Sequence, residues 1–213
     1  MATTLYYASG SPYAWRVWLA LEHKGAAYEL RTLSFDAGEV RTPAFLALNP
    51  RGRVPVLVDD GFALFESAAI VEYVEERWPE GPRLFSADLR QRALQRRLIR
   101  EADVYVVGPL ERLVEAVLFT KPEEHKPETI AKICADLRTE LSSWETAIAG
   151  DFLAGPLSAA DFTLYPVLAL VRRMQSRNPG LIPADLAGPK VADWIARMDA
   201  LPLVQKTWPP HWR

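Results

Sequence analysis

Cysteine occurs once in these 213 residues, as Cys134, so a disulfide framework and a CxxC redox pair are both excluded. Histidine is scarce too. His23, His125 and His211 are isolated from one another and from Cys134, no metal-ligand spacing is present, and no metal site is expected. No GxGxxG, Walker A or GxSxG run occurs, which removes the usual dinucleotide, nucleotide and serine-hydrolase readings. No apolar run approaches the ~18 residues of a membrane span, and the opening MATTLYYASG has no basic stretch ahead of an apolar core. A cytoplasmic protein without a membrane partner is expected. Net charge is small, −2 from 25 Lys and Arg against 27 Asp and Glu, which gives no electrostatic reason to expect nucleic acid. The basic run Arg90, Arg92, Arg96, Arg97 and Arg100 has helical spacing and is followed by Glu101 and Asp103. It suits a solvated face or a subunit contact.

What is present is a globular composition, 49% hydrophobic and 24% charged, in a chain long enough for one large or two small domains. The stretch RVPVLVDDGFALFES, Arg53 to Ser67, is the most specific signal. Val56 to Val58 and Phe62 to Phe65 are short strand-like runs, and Asp59-Asp60-Gly61 between them is hairpin-turn chemistry. The period then changes to 3.6, with Ile70, Val71, Val74 and Trp78 on one face of a helix that Ser67 can cap and Pro79 ends. Ser67 and the backbone N–H groups of a helix start form a receptor for a carboxylate. Glu66 offers a charge for an ammonium group, so the two together would hold an amino-acid zwitterion. A cap and a dipole complement, with no ligand, is the plainer alternative. Val54-Pro55 opens the first strand of the hairpin; were that bond cis, the Val54 N–H and C=O would turn outward and an extended peptide could pair with them.

Asn49 to Pro79, NPRGRVPVLVDDGFALFESAAIVEYVEERWP, resembles the glutathione-binding half of the cytosolic glutathione S-transferase superfamily. The resemblance implies an α+β chain: a thioredoxin-like βαβαββα domain over residues 1–80 and an all-α domain over 87–213. It also implies glutathione as co-substrate, its cysteinyl backbone paired with Val54 beside a cis Pro55 and its γ-glutamyl end on Glu66 and Ser67. Arg41-Thr42-Pro43-Ala44-Phe45-Leu46 is similar to the tau-class segment whose basic residue pairs with the glycine carboxylate. Arg41 and Arg53 are the candidates for that charge, a job suited to a bidentate guanidinium.

Near the start, Thr4 to Ala8 reads as a strand, and Ser11 before Pro12 is a strong helix-start signal, with Gly25 as the stop. Ser11-Pro12-Tyr13 with Arg16-Val17 resembles the tau pattern whose serine activates glutathione, and the zeta class places its active serine here as well. A hydroxyl donor at a helix N-terminus stabilises a thiolate by hydrogen bond and dipole together. Ser11 is the expected catalytic residue, with Tyr6, Tyr7 and Ser9 as rival hydroxyls and a bare N-cap as the plainer alternative. The zeta motif's paired serines and cysteine are here Ser11-Pro12-Tyr13, a departure that weighs against maleylacetoacetate isomerase activity.

Tyr28 to Phe35 is expected as a second strand and Asp36 to Leu48 as a loop with a short helix. The breaker-rich Pro79-Glu80-Gly81-Pro82-Arg83 is the domain boundary. Helices are expected over Leu89 to Val107 and Leu110 to Phe119, interrupted at Gly108-Pro109, and from Pro127 to Ala149. Ser158 and Asp161 resemble a capping box ahead of a buried helix, and a last helix takes in Val191 to Met198. The aromatic tail Trp208 to Trp212 either closes over a substrate pocket or packs on the core. The expected second substrate is small and apolar, lodged between the loop Tyr7 to Tyr13 and the first helix of the second domain, with Tyr7, Tyr13, Val104, Tyr105 and Val107 as wall residues. Family members are usually homodimers. The same thiolate would also serve an isomerase, a dehalogenase or a peroxidase, and a non-catalytic interaction protein on the same fold is the remaining alternative.

Overall fold

A computed structural model describes residues 2–148 and 150–212; Ala149, the expected end of the helix from Pro127, lies outside them. The chain forms two compact units, one running to Ser86 and resuming at Leu201, the other Ala87–Ala200.

In the first unit the order is β1 (Thr3–Tyr7), α1 (Pro12–Lys24), β2 (Glu29–Thr32), α2 (Pro43–Leu48), β3 (Val56–Asp59), β4 (Phe62–Phe65) and α3 (Ser67–Arg77). This is the expected βαβαββα arrangement. The sheet order is β2-β1-β3-β4, with β1 parallel to β2 and β3 antiparallel to both β1 and β4. Asp60 and Gly61 both have positive φ, 51° and 87°, the pair of left-handed residues that a two-residue hairpin turn requires. Leu5 and Tyr7 leave the buried face of β1, while Tyr6 leaves the other and meets Phe45 of α2 at a ring distance of 6.1 Å. β2 is an edge strand with all of its residues exposed, shorter than the Tyr28 to Phe35 read from the sequence.

Helix α1 is buried almost all round, from Pro12 and Ala14 through Leu21 to Lys24. One side meets α3 and the other meets α9 (Pro202–Thr207), so its apolar content is not confined to one stripe. Truncating Leu19 or Leu21 to alanine, both fully buried, would cost about 2–5 kcal/mol. Two polar ties hold α1 to α3: the buried Lys24 ammonium donates to Glu75 at 2.9 Å, and Arg16 reaches Ser67. The Asp59 carboxylate fastens α3 to the sheet, accepting from Thr3 Oγ1 at 2.7 Å, Tyr73 Oη at 2.7 Å and Arg77 Nε at 2.8 Å. Burial alone would push its pKa up, but these three donors outweigh that and hold it below the usual carboxylate range. The sequence reading had given Asp59 to the turn alone.

The second unit is helical: α4 (Leu89–Glu101), α5 (Val107–Val117), α6 (Pro127–Trp144), α7 (Ala159–Arg177) and α8 (Pro189–Asp199). The expected break at Gly108-Pro109 falls earlier. A π-helical segment, Ala102–Val106, joins α4 to α5, and Gly108-Pro109 sit in the first turn of α5. Pro109 has no N–H to give the preceding turn, and the wider i→i+5 ladder upstream absorbs that loss. At the start of α7 the buried Asp161 accepts from Ser158 N at 2.9 Å, Leu153 N at 2.9 Å and Trp194 Nε1 at 2.8 Å. Burial pushes its pKa up to about 6 despite these bonds. The residue is therefore a folding element, as its spacing from Ser158 had indicated.

The tail departs from the expected assignment of residues 87–213 to one domain. Leu201 onward belongs to the first unit, where Trp15 Nε1 donates to Thr207 Oγ1 at 2.8 Å and the Trp15 ring meets Trp208 and Trp212 edge-on at 5.4 and 5.7 Å. Lys206 adds an ion pair to Glu22 at 2.7 Å. Among the described residues, no helix is long and apolar enough to cross a membrane.

Candidate functional site

Ser11 is the N-cap of α1, in extended backbone, with its Oγ accepting from the Ala14 N–H at 3.4 Å. Pro12 at the first helical position has preset φ and no donor to satisfy. Among the described residues the Ser11 hydroxyl donates to no acceptor, so its proton is available to an anion at the helix N-terminus. The rival hydroxyls differ in their surroundings. Tyr7 is 6% exposed with its ring on Trp18 at 5.2 Å, Tyr6 points to the opposite face of β1 under the Arg31 guanidinium, and Ser9 Oγ lies 2.7 Å from His211 Nδ1.

The second cluster surrounds the start of α3. Ser67 is the first helical residue, while Glu66 holds the N-cap position without a side-chain cap bond; the sequence had assigned the cap to Ser67. Ile70 N is the first to find a helical carbonyl, Glu66 O at 2.9 Å, so the N–H groups of Ser67, Ala68 and Ala69 have no intrahelical acceptor. Glu66 carries φ 75°, a left-handed conformation costing a non-glycine residue about 1–3 kcal/mol and typical of functional sites. Its carboxylate is largely exposed, 3.9 Å from Arg51 Nε.

Ser67 is buried, and its Oγ accepts from Arg16 Nη1 at 3.2 Å. Arg16 is itself only 2% exposed, so a buried guanidinium stands behind the N-terminus of α3. Val54 precedes Pro55 across a cis bond, and among the described residues the Val54 N–H and C=O have no partner. Arg53 is exposed. Arg41, at the end of the short 3-10 turn Glu39–Arg41, extends its guanidinium to the backbone of Gly52.

This arrangement can bind an extended anionic peptide. Val54 supplies a backbone donor and acceptor, the α3 N-terminus with Arg16 behind it supplies a carboxylate receptor, and Arg41, Arg51 and Arg53 supply further positive charge. Arg51 was not singled out from the sequence, and Arg16 entered only as part of the tau-like pattern, with no binding role. The available signal was an arginine inside the otherwise apolar run Ala14 to Leu21, where a charge is buried only when it has work to do. Of the expected wall residues, Val104 and Tyr105 are exposed on the π-helical segment, Tyr13 is half-buried on the first turn of α1, and Tyr7 and Val107 are buried. No group of three His, Cys, Asp or Glu side chains gathers into a metal site among the described residues.

A four-stranded thioredoxin-like βαβαββα unit accompanied by an all-helical unit is the architecture of the glutathione S-transferases. The model for "Glutathione S-transferase, N-terminal domain" matches residues 10–77, and that for "Glutathione S-transferase, C-terminal domain" matches residues 127–197. Maleylacetoacetate isomerase of Mus musculus is 33% identical, over 80% of this chain and 79% of that protein. The maleylacetoacetate isomerase of Pseudomonas aeruginosa is 51% identical over 94 residues, a match spanning 43% of each chain. Among solved structures, a glutathione S-transferase from the Antarctic clam Laternula elliptica superposes with a TM-score of 0.83 at 30% identity, covering 100% of this chain and 94% of that one. The chain belongs to the cytosolic glutathione S-transferase superfamily.

Proposed function

We propose that this chain is a glutathione transferase that binds glutathione in its first unit and activates the thiol for attack on a small apolar electrophile. The observation that carries the reading is the undonated Ser11 hydroxyl at the N-terminus of α1. Bound there, the sulfur loses its proton to solvent, and the thiolate takes a hydrogen bond from Ser11 together with the field of the helix end. The thiolate forms a C–S bond with the electrophilic carbon, which expels its leaving group with the bonding pair. Val54 pairs with the cysteinyl backbone, Glu66 and the Ser67 end of α3 take the γ-glutamyl zwitterion, and Arg41 and Arg53 are the candidates for the glycine carboxylate. A cytoplasmic homodimer acting in detoxification goes with this proposal, on the family resemblance.

A calorimetric glutathione titration of the parent, Ser67→Ala and Ser11→Ala, with turnover of an aryl halide followed alongside, tests it. Weakened binding in Ser67→Ala, and retained binding with lost turnover in Ser11→Ala, are expected. A parent protein that does not bind glutathione sinks the enzymatic reading and leaves an interaction module. The identity to the Pseudomonas aeruginosa isomerase favours one second reading, glutathione-dependent cis–trans isomerisation. Thiolate adds to a conjugated double bond, the resulting single bond rotates, and expulsion of the thiolate restores the alkene. Tyr13 in place of the motif cysteine argues against it, and assay with maleylacetoacetate decides.

A further inference from the structure

We infer that the C-terminal segment positions the turn that presents Ser11, with His211 as the positioning residue; this rests on the transferase reading above. The turn is Ser9-Gly10-Ser11, between β1 and α1. Gly10 has φ 82°, and a Cβ built on it would lie 2.8 Å from His211 Cε1 and 3.0 Å from Trp212 Nε1. The imidazole therefore rests close against the Gly10 backbone, where an added Cβ would force it to move. On one side of Gly10, Ser9 Oγ and His211 Nδ1 are 2.7 Å apart, a hydrogen-bond distance. On the other side is Ser11.

The platform under His211 is closely packed. Trp212 is 8% exposed, lies edge-on to Trp15 and Trp208 at 5.7 and 5.9 Å, and its N–H donates to Pro209 O at 2.9 Å. Trp15, in turn, is buried in α1 and bonded to Thr207. The tail and the helix that Ser11 caps are one packed body, and His211 is its contact with the polar side of the turn. The cap bond from Ala14 N is 3.4 Å, near the limit of a hydrogen bond. A small shift of the turn thus decides whether Ser11 Oγ stays engaged by that N–H and where its proton points. His211 is solvent-exposed, so its hydrogen bond contributes little to folding. Its effect belongs to geometry at the thiolate, where misplacement is expensive.

The test compares His211→Ala, His211→Asn, Ser9→Ala and the Ser9→Ala/His211→Ala double variant. Asparagine places a polar atom where Nδ1 stands and serves as the rescue. The readouts are kcat and KM with chlorodinitrobenzene, and the pH titration of the ultraviolet absorbance of bound glutathione thiolate. Each alanine variant should lose roughly 3- to 10-fold in kcat, the loss of one hydrogen bond's worth of placement, with KM for glutathione within about twofold. The apparent thiol pKa should rise, the double variant should fall no further than either single, and His211→Asn should recover most of the loss. Unchanged kcat and thiol pKa in both single variants, additive losses in the double, or an asparagine variant as poor as alanine would overturn the assignment. Should His211→Ala fail to fold, Ser9→Ala carries the same comparison. A parent without a glutathione-thiolate signal would overturn the transferase reading itself, a result distinct from these.

Discussion

Arg16→Met removes a buried charge while keeping most of the aliphatic stem packed in α1. Arg16 Nη1 is 3.2 Å from Ser67 Oγ, and a carboxylate oxygen bound to that hydroxyl would stand about 2.8 Å further on. The guanidinium and the bound γ-glutamyl carboxylate are then roughly 6 Å apart. With an effective dielectric near 20, the attraction is about 3 kcal/mol, or about 100-fold in Kd. Water at the open side of the ligand reduces this, so a loss of about 10- to 100-fold in glutathione affinity is expected. Calorimetric titration at two salt concentrations measures it. Because Arg16 is 2% exposed, salt should screen its contribution weakly, whereas the exposed Arg53→Ala should lose affinity mainly at low salt. Thermal melts of the same samples separate lost binding from lost fold. Glutathione affinity within about twofold of the parent in a folded Arg16→Met would refute the idea that this charge builds the receptor.

Asp59→Ala removes the acceptor shared by Thr3, Tyr73 and Arg77, and should cost about 2–4 kcal/mol by chemical denaturation. The folded-state pKa of Asp59 is lowered, so its contribution is present above the usual carboxylate range and is lost as pH falls through the folded value; Asp59→Asn should show a flatter acid limb. Asp161 has the opposite sign: its pKa is pushed up to about 6, so the folded state holds its proton longer than the unfolded chain. Its contribution is full below pH ~4 and is lost as pH rises to about 6, a change of about 3 kcal/mol. Asp161→Asn should remove that slope in denaturant melts followed across this window. Trp15→Phe deletes the N–H that reaches Thr207; it should lower stability by about 1–2 kcal/mol and speed proteolysis within residues 201–212, measured by mass of the fragments.

Which parts of this molecule could be read from its sequence follows from the range over which each signal acts. The hairpin β3–β4 and the start of α1 were legible because Asp59-Asp60-Gly61 and Ser11-Pro12 carry their turn and cap chemistry within a few residues. The Ser158–Asp161 pair was legible for the same reason. The candidates Ser11, Val54, Glu66 and Ser67 owe their assignment to the family resemblance as much as to local chemistry, since a cap and a ligand receptor have the same residue types. The role of Arg16 was missed because its partner Ser67 is 51 positions away, and that of His211 because Ser9 is 202 positions away. No periodicity reports such distances. The break at the π-helical segment was misplaced for a different reason: a proline disrupts the ladder of the turn before it, so Pro109 acts on Ala102–Val106 and not on its own position. The placement of the tail depends on a balance that sequence shows only as composition. Trp208 and Trp212 need apolar surface, and the all-round hydrophobicity of α1 is surplus to what the sheet and α3 can cover. An α1 with apolar residues on every side requires a second partner, and the tryptophan-rich tail requires a surface. Each unmet requirement was visible in the sequence, and pairing them is the step by which residues 201–212 could have been assigned to the first unit.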